Sequence, residues 1–330
     1  MKKRRITALL AVLAMTAGLL SGCGSSGNTG NAPAGDTTAS AEGGSQETAS
    51  GGGANEVTVW YYMETEGHQV ALDQVIQDYN ASQDQYQVTA KYVPFADFKK
   101  QLSIGASADE LPDIAILDSP DHASYVEMGI FEDITGKFDV SSYYEGTVNS
   151  CTVDGKLYGV PFGVNCLALY YNEEMLQAAG CKVPETWDEL MEAAKALTSD
   201  NVTGLAFCSV QNEEGTFNFW PCLWSTGATS YDLNNENGIR ALTFIQSLIN
   251  EGVMSKECIN WTQGDVMNQF ISGNVAMMVN GPWQIPTMQA EAPDLKWKVT
   301  LIPRDAQYAS ALGGENYAVI NSGNVEGALD

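Results

Sequence analysis

Gly155 to Asn172, GKLYGVPFGVNCLALYYN, decides how the rest of the chain is organised. A turn signal, Asp154-Gly155-Lys156, opens it. A short apolar segment broken by Pro161 and Gly163 follows, then a second one, Cys166-Leu167-Ala168-Leu169-Tyr170-Tyr171, and Asn172-Glu173-Glu174 caps a helix. Proline and glycine inside a sheet mark edges, bulges and changes of direction. Two readings are open. The stretch is the first crossing between two lobes, with Asn165 pointing into the space between them, or it is a hairpin inside one domain.

Outward toward the N-terminus, Glu56-Val57-Thr58-Val59-Trp60-Tyr61-Tyr62 is rich in strand formers and leads into the polar loop Glu64-Thr65-Glu66-Gly67. Val70, Leu72, Val75, Ile76 and Tyr79 come close to helical spacing. Gln87 to Val93 predicts a second strand, Phe95 to Ile104 a second helix, and Ile114-Ala115-Ile116-Leu117 a buried strand. This βαβαβ order implies a parallel sheet with right-handed crossovers. Ligands of such sheets lie beyond the carboxyl ends of the strands. The loops there offer two carboxylates, Glu64 and Asp118; Asp118 is also well placed to cap a helix.

Outward toward the C-terminus, Glu173 to Ala179 is a helix stopped by Gly180. Thr186 and Glu189 form a capping box for a helix whose apolar face is Leu190, Ala193, Ala194 and Leu197. Gly204 to Val210 predicts a strand. Phe217 to Trp224, FNFWPCLW, is dense in aromatics and starts a helix; a tryptophan pair four apart packs a core or turns one ring toward a cleft. Asp232 to Gly238, DLNNENG, resembles a calcium loop but lacks glycine at the sixth position, so it reads as a loop before a helix over 238–250. A helix ending at Gly273 and a strand over 274–279 deliver the chain to Asn280-Gly281-Pro282-Trp283, where Pro282 suits a first helical turn. Trp297 to Ile302 predicts another strand, and Pro303-Arg304 a second crossing. Leu312-Gly313-Gly314-Glu315-Asn316 predicts a tight glycine turn, where backbone can approach a ligand closely. Ala318-Val319-Ile320 predicts one more strand. Asn324 caps a first helical turn near the end, so the sequence is expected to be a piece of a longer chain.

A chain of 330 residues, 44% hydrophobic and 17% charged, is long enough for two lobes with separate cores. The charge is lopsided. From residue 23 onward 12 basic residues face 41 acidic ones, a formal net charge of −29. Such a surface repels polyanions, which argues against nucleic acid as a partner. Arg240 and Arg304 are the only arginines after the leader. Bidentate recognition of phosphate or carboxylate favours arginine, so a neutral or cationic ligand is expected.

Residues 1–22 read as a signal peptide: the basic Lys2-Lys3-Arg4-Arg5 precedes an apolar run, Ile6 to Leu20, too short for a comfortable membrane span. Leu20-Ser21-Gly22-Cys23 resembles a bacterial lipobox, in which Cys23 becomes the lipidated first residue. From Gly24 to Ala54 small and polar residues dominate, the composition of a flexible tether with a reach of roughly 30 Å. The body of the protein is therefore expected at the outer face of the cytoplasmic membrane, held by a lipid anchor. Six further cysteines (151, 166, 181, 208, 222 and 258) show no CxxC spacing, and His68 and His122 are the only histidines, so no metal site is expected. Six cysteines allow fifteen pairings. Cys166 and Cys208 sit in apolar sequence, which favours buried free thiols.

Four stretches, GKLYGVPFGVNCLALYYNEEMLQAAG, VPETWDELMEAAKALT, FISGNVAMMVNGPW and LGGENYAV, together with the lipobox, run nearly the whole length in one order. In that order the chain resembles the extracellular solute-binding proteins of ABC importers, in the maltose-binding-protein-like group. The resemblance implies an α/β, two-lobed periplasmic-binding-protein-like (type II) fold, closing like a hinge on its ligand. It implies residues 55–165 with 303–321 in one lobe and 166–302 with 322–330 in the other, with further helices beyond the glycine turn. By position, Asn165 falls where a family carboxylate bonds sugar hydroxyls, and Trp283 matches an aromatic platform. Phe217 and Trp220 fall in the aromatic cleft wall, and Glu64, Asp118, Gly314 and Glu315 match loops lining the opposite lobe.

The resulting expectation is a non-catalytic, monomeric lipoprotein without a cofactor. It binds a neutral carbohydrate, of oligosaccharide size, between its lobes and delivers it to the transmembrane subunits of an ABC permease. Hydroxyls suit amides and carboxylates, and the apolar faces of sugar rings suit indoles. Rival readings are a surface-attached glycoside hydrolase or lyase, which would use paired carboxylates, and a sugar-sensing receptor subunit.

Overall fold

The computed structural model describes residues 55–229 and 233–330. The signal segment, Cys23, the tether and Asp232 lie outside the described residues. Strand β1 (Glu56–Tyr61) leads to α1 (Glu66–Ser82), β2 (Gln87–Tyr92), α2 (Phe95–Ala108) and β3 (Ile114–Asp118). β1 pairs in parallel with both β2 and β3. Side chains alternate across β3. Ala115 and Leu117 pack with Phe98 and Leu102 of α2, whereas Ile116 packs with Val59, Tyr61 and Leu72 of α1. That period of two gives each face of the sheet its own helix. α1 covers its face thinly: Leu72 is its one buried residue, and Val70 and Val75, expected on the apolar side, are 61% and 60% exposed. Val70 stands on the opposite side of the helix from Leu72.

α3 (His122–Glu127) and α4 (Glu145–Ser150) follow, then the hairpin β4 (Thr152–Val153) and β5 (Lys156–Leu157). β6 (Val160–Pro161) joins the edge of the first sheet, and the chain leaves through β7 (Asn165–Cys166) into β8 (Ala168–Asn172). β8 is the middle strand of a second, antiparallel sheet. The opening stretch is thus a crossing between sheets. Only its 152–157 flank is a hairpin.

The second half runs α5 (Glu173–Ala178), α6 (Trp187–Leu197), α7 (Glu213–Ser225), α8 (Glu236–Asn250), α9 (Gln263–Ile271), β9 (Met277–Asn280), α10 (Ile285–Glu291) and β10 (Trp297–Thr300). The second sheet has the order β10-β8-β9. Asn172 caps α5, and the Thr186–Glu189 capping box opens α6, both as their sequences predict. Leu190, Ala193, Ala194 and Leu197 of α6 join Leu169, Tyr171 and Met277 in one core. Gly204 to Val210 departs from the expected strand. It makes one bridge, Ala206–Met278, with Thr203–Val275 just before it, because the Leu205 amide turns away from β9 to the carbonyl of Val253.

The return crossing lies later than Pro303. The Arg304 amide donates to the carbonyl of Glu185, that of Ala306 to Ser225, and Ala311 belongs to the core of the second half. The chain changes halves at β11 (Leu312–Gly313), which pairs with β7, and β12 (Glu315–Val319) then enters the first sheet between β3 and β6. Two strands separated by Gly314 replace the expected glycine turn. α11 (Val325–Leu329) also departs from expectation: it belongs with the first half, where Gly327 lies against Val57 and Tyr86. Asn324 caps it through the Gly327 amide, and the Asn324 amide is held by Asp113.

The six cysteines of the described residues are free thiols. Cys151, Cys208 and Cys258 are buried, but Cys166 is exposed, since the two-residue β7 has no layer over that side chain. Among the described residues no helix is long and apolar enough to cross a membrane.

Candidate functional site: a cleft between the two sheets

Three first-half groups meet where β1 and β3 end. β12 runs antiparallel to β3 in a register that sets Glu315 opposite Asp118. Like charges directly opposite repel. Tyr62, one residue past β1, reaches both: its hydroxyl lies 3.2 Å from Asp118 Oδ1 and 3.3 Å from Glu315 Oε1. The Tyr62 ring is set by Phe95 and Phe98, with centroids 5.0 and 5.5 Å away. Asp118 occupies an N-cap position, yet its carboxylate makes no cap hydrogen bond. Burial, then the charges of Glu213 and Glu315, hold Asp118 well above the usual carboxylate range; burial raises Glu315 as well.

The second half contributes one stripe of α7. Glu213, Phe217, Trp220 and Trp224, at successive spacings of four, three and four, share a helix face, and each borders a cavity. Trp220 and Trp224 stack with centroids 5.5 Å apart at 8°. Both also pack on core residues, so core packing and cleft lining coexist in this pair. Asn212 caps α7 through the Gly215 amide, and Glu214 fixes its neighbour by accepting from the Gln263 amide at 2.8 Å. After β9, buried Asn280 holds the next turn: its amide donates to the carbonyl of Gln263, and its oxygen accepts from the Gly281 amide. Trp283 folds back over Gly281, where an added Cβ would sit 2.0 Å from the indole, so glycine there permits the ring's pose.

Two cavities open between the halves. One, of about 340 Å³, is bordered by Tyr62, Glu64, Asp118, Asn165, Glu315, Glu213, Phe217, Trp283 and Gln284 among others. The second, of about 530 Å³, is bordered by Asp121, Ser150, Asn316, Trp220, Trp224 and Leu312 among others. Glu213, Phe217 and Gly313 border both, so they form adjoining compartments of one cleft. Each has the size of a small-molecule site.

Of the sequence-predicted residues, Glu64, Asp118, Asn165, Phe217, Trp283 and Glu315 border the smaller compartment, and Phe217 and Trp220 the larger. Gly314 borders neither. Its backbone is pressed against Gly163 at the crossing, and the preceding Gly313 faces the cleft instead. Sequence reasoning passed over Tyr62, Glu213 and Gln284, and of the tryptophan pair it assigned only Trp220 to the cleft, whereas Trp224 borders it too. Glu213 looks like an ordinary acidic first turn, and Tyr62 like the end of a strand. The position of Gln284 directly after Trp283 in NGPWQ was the available signal.

Glu213 stands opposite Asp118 and Asp121. Burial, then the charges of Asp121 and Glu214, push its carboxyl from the ordinary 4.5 to about 7, against the pull of Lys99. A carboxyl whose value is higher in the folded state favours folding below its unfolded value, and that contribution is lost as pH rises through the folded one. Glu213→Gln is therefore expected to stabilise the unliganded protein at about pH 8, by up to about 3 kcal/mol, and to leave it nearly unchanged at about pH 4. Thermal melts of both proteins across that range check the sign.

The family model described as bacterial extracellular solute-binding protein matches residues 74–327. The chain belongs to that family. A putative binding protein of Brucella abortus is 29% identical over 252 residues, covering 72% of this chain and 61% of its own length. The lactose-binding protein of Rhizobium radiobacter is 28% identical over 293 residues, covering 82% and 67%. Among solved structures, an ABC transporter solute-binding protein from Thermotoga lettingae TMO bound with α-D-tagatose superposes with a TM-score of 0.75 at 26% identity, over 83% of this chain and 75% of that one. The chain thus spans about three fifths of the first relative's length. These relatives are named as binding proteins, and the two-lobed α/β fold expected from the resemblance is that of the solved neighbour.

Proposed function

We propose that the protein captures a carbohydrate between its two lobes and passes it to the transmembrane subunits of an ABC permease. The observation that carries this reading is the cleft. Indoles of Trp220, Trp224 and Trp283 wall it from one half, while carboxylates and a phenol, Asp118, Glu315 and Tyr62, face them from the other. Sugar rings bring apolar faces for the former and hydroxyls for the latter. Two adjoining compartments suit an oligosaccharide better than a single ring. Glu64, Asn165, Phe217 and Glu315 act as binding residues, and no catalytic role is assigned. The relatives' names support the sugar, and the Leu20–Cys23 lipobox supports a lipid anchor at Cys23. The binding unit itself acts as a monomer.

Ligand closes the lobes only through its higher affinity for the closed state. Melting curves with a panel that includes lactose, tagatose and galacto-, malto- and xylo-oligosaccharides test the reading. A binder present at a hundred times its dissociation constant adds about 2.7 kcal/mol to native stability, and small-angle scattering should show compaction with the same sugar. No shift and no compaction across the panel would remove the proposal. Glu213 and Asp118, both raised by burial, are the groups a glycoside hydrolase would employ; release of shorter sugars by the pure protein would favour that second reading.

A further inference from the structure

We propose that the bound sugar carries a protonated amine, and that its nitrogen lies in the smaller compartment among Asp118, Glu315 and Glu213; this rests on the carbohydrate reading above. A phenol has one proton. Tyr62 therefore serves Asp118 or Glu315 at any moment, and the other carboxylate is left without that donor. Glu213 approaches from the second half, and Asp121 borders the adjoining compartment.

Countercharge is scarce. Among the described residues no lysine or arginine borders either compartment, and the one basic group that does is His68, exposed at the edge of the smaller. Lys99 is paired with Asp121 at 2.5 Å and is itself 59% exposed.

Two amide side chains also border this compartment. Gln284 is 8% exposed and borders the smaller compartment, which places an amide beside the carboxyl groups. The Oδ1 atom of Asn165 is buried there without a donor. The compartment thus brings together three carboxyl groups that repel one another when ionised, and burial makes each hold its proton more tightly. A hydroxyl brings one donor and no charge. An ammonium brings three donors, no acceptor and a positive charge, and charge-assisted hydrogen bonds are about twice as strong as neutral ones. Of the neutral and cationic ligands the sequence leaves open, a cation favours the ionised form of these carboxyls and a neutral ligand does not.

Calorimetry at neutral pH with matched pairs tests this: glucosamine and glucose, galactosamine and galactose, mannosamine and mannose, each as the free sugar and as a short oligomer. In at least one series the amine is expected to bind about tenfold or more tightly than its hydroxyl parent. The preference should shrink with added salt and vanish in Asp118→Asn/Glu315→Gln. Removing opposed like charges should leave that variant at least as stable as the wild type, which a thermal melt verifies. Parents that bind as well as or better than the amines in every series showing binding would overturn the amine and leave the carbohydrate reading standing. Absence of binding by all members, with a sugar of the wider panel bound, would overturn the amine alone; absence across both panels would overturn both.

Discussion

Trp283→Ala is expected to weaken sugar binding by about 2 kcal/mol or more, a roughly thirtyfold loss. The indole borders the smaller compartment, faces Phe217 at 6.4 Å and 53°, and has the opposed carboxylates across the cavity. Its removal takes away the apolar platform without touching the polar groups. It also packs on the core of the second half, so the unliganded melting temperature should fall by a few degrees. The decisive quantity is therefore the ligand-induced rise in melting temperature, measured from each protein's own baseline. Trp283→Phe should recover part of that rise. An undiminished rise in the alanine variant would mean that the ring only packs.

Gly314→Ala should cost about 2–4 kcal/mol of stability. Gly314 has φ +129°, a region that L side chains rarely adopt, and an added Cβ would lie 2.2 Å from the carbonyl oxygen of Gly163. Neither strand can retreat cheaply. Gly163 O accepts from the Glu315 amide, while Phe162 and Gly163 donate back to the Glu315 carbonyl. Strain at this point would loosen the β7–β11 pair and move Glu315 away from Asp118, so binding should fall along with stability. Urea unfolding gives the measurement, and a midpoint equal to the wild type would contradict the argument.

The parts of this architecture that sequence made legible are those set by near neighbours. The strand-forming runs of β1–β3, the Thr186–Glu189 capping box and the Asn172 and Asn324 caps each depend on a few consecutive residues. The stretch 204–210 misled because strand-like composition does not show where its amides go, and Leu205 bonds to Val253. Val70 and Val75 misled because apolar spacing says nothing of how much of a helix the sheet reaches. The site divides the same way. Trp283 and Phe217 stand out by composition, whereas Tyr62 and Glu213 acquire meaning only when another element arrives opposite them. Gly313 and Gly314 are chemically alike, and the strand register alone decides that the first faces the cleft.

The contact between Tyr62 and Glu315 joins residues 253 positions apart. The early βαβαβ segment therefore lacks part of one wall of the cleft until residues near the end of the chain fold against it. Closing so long a loop is slow and entropically costly, and β12 is the piece that closes it. Affinity should therefore be the last property this polypeptide gains on refolding from denaturant, appearing after most of its helical signal has returned.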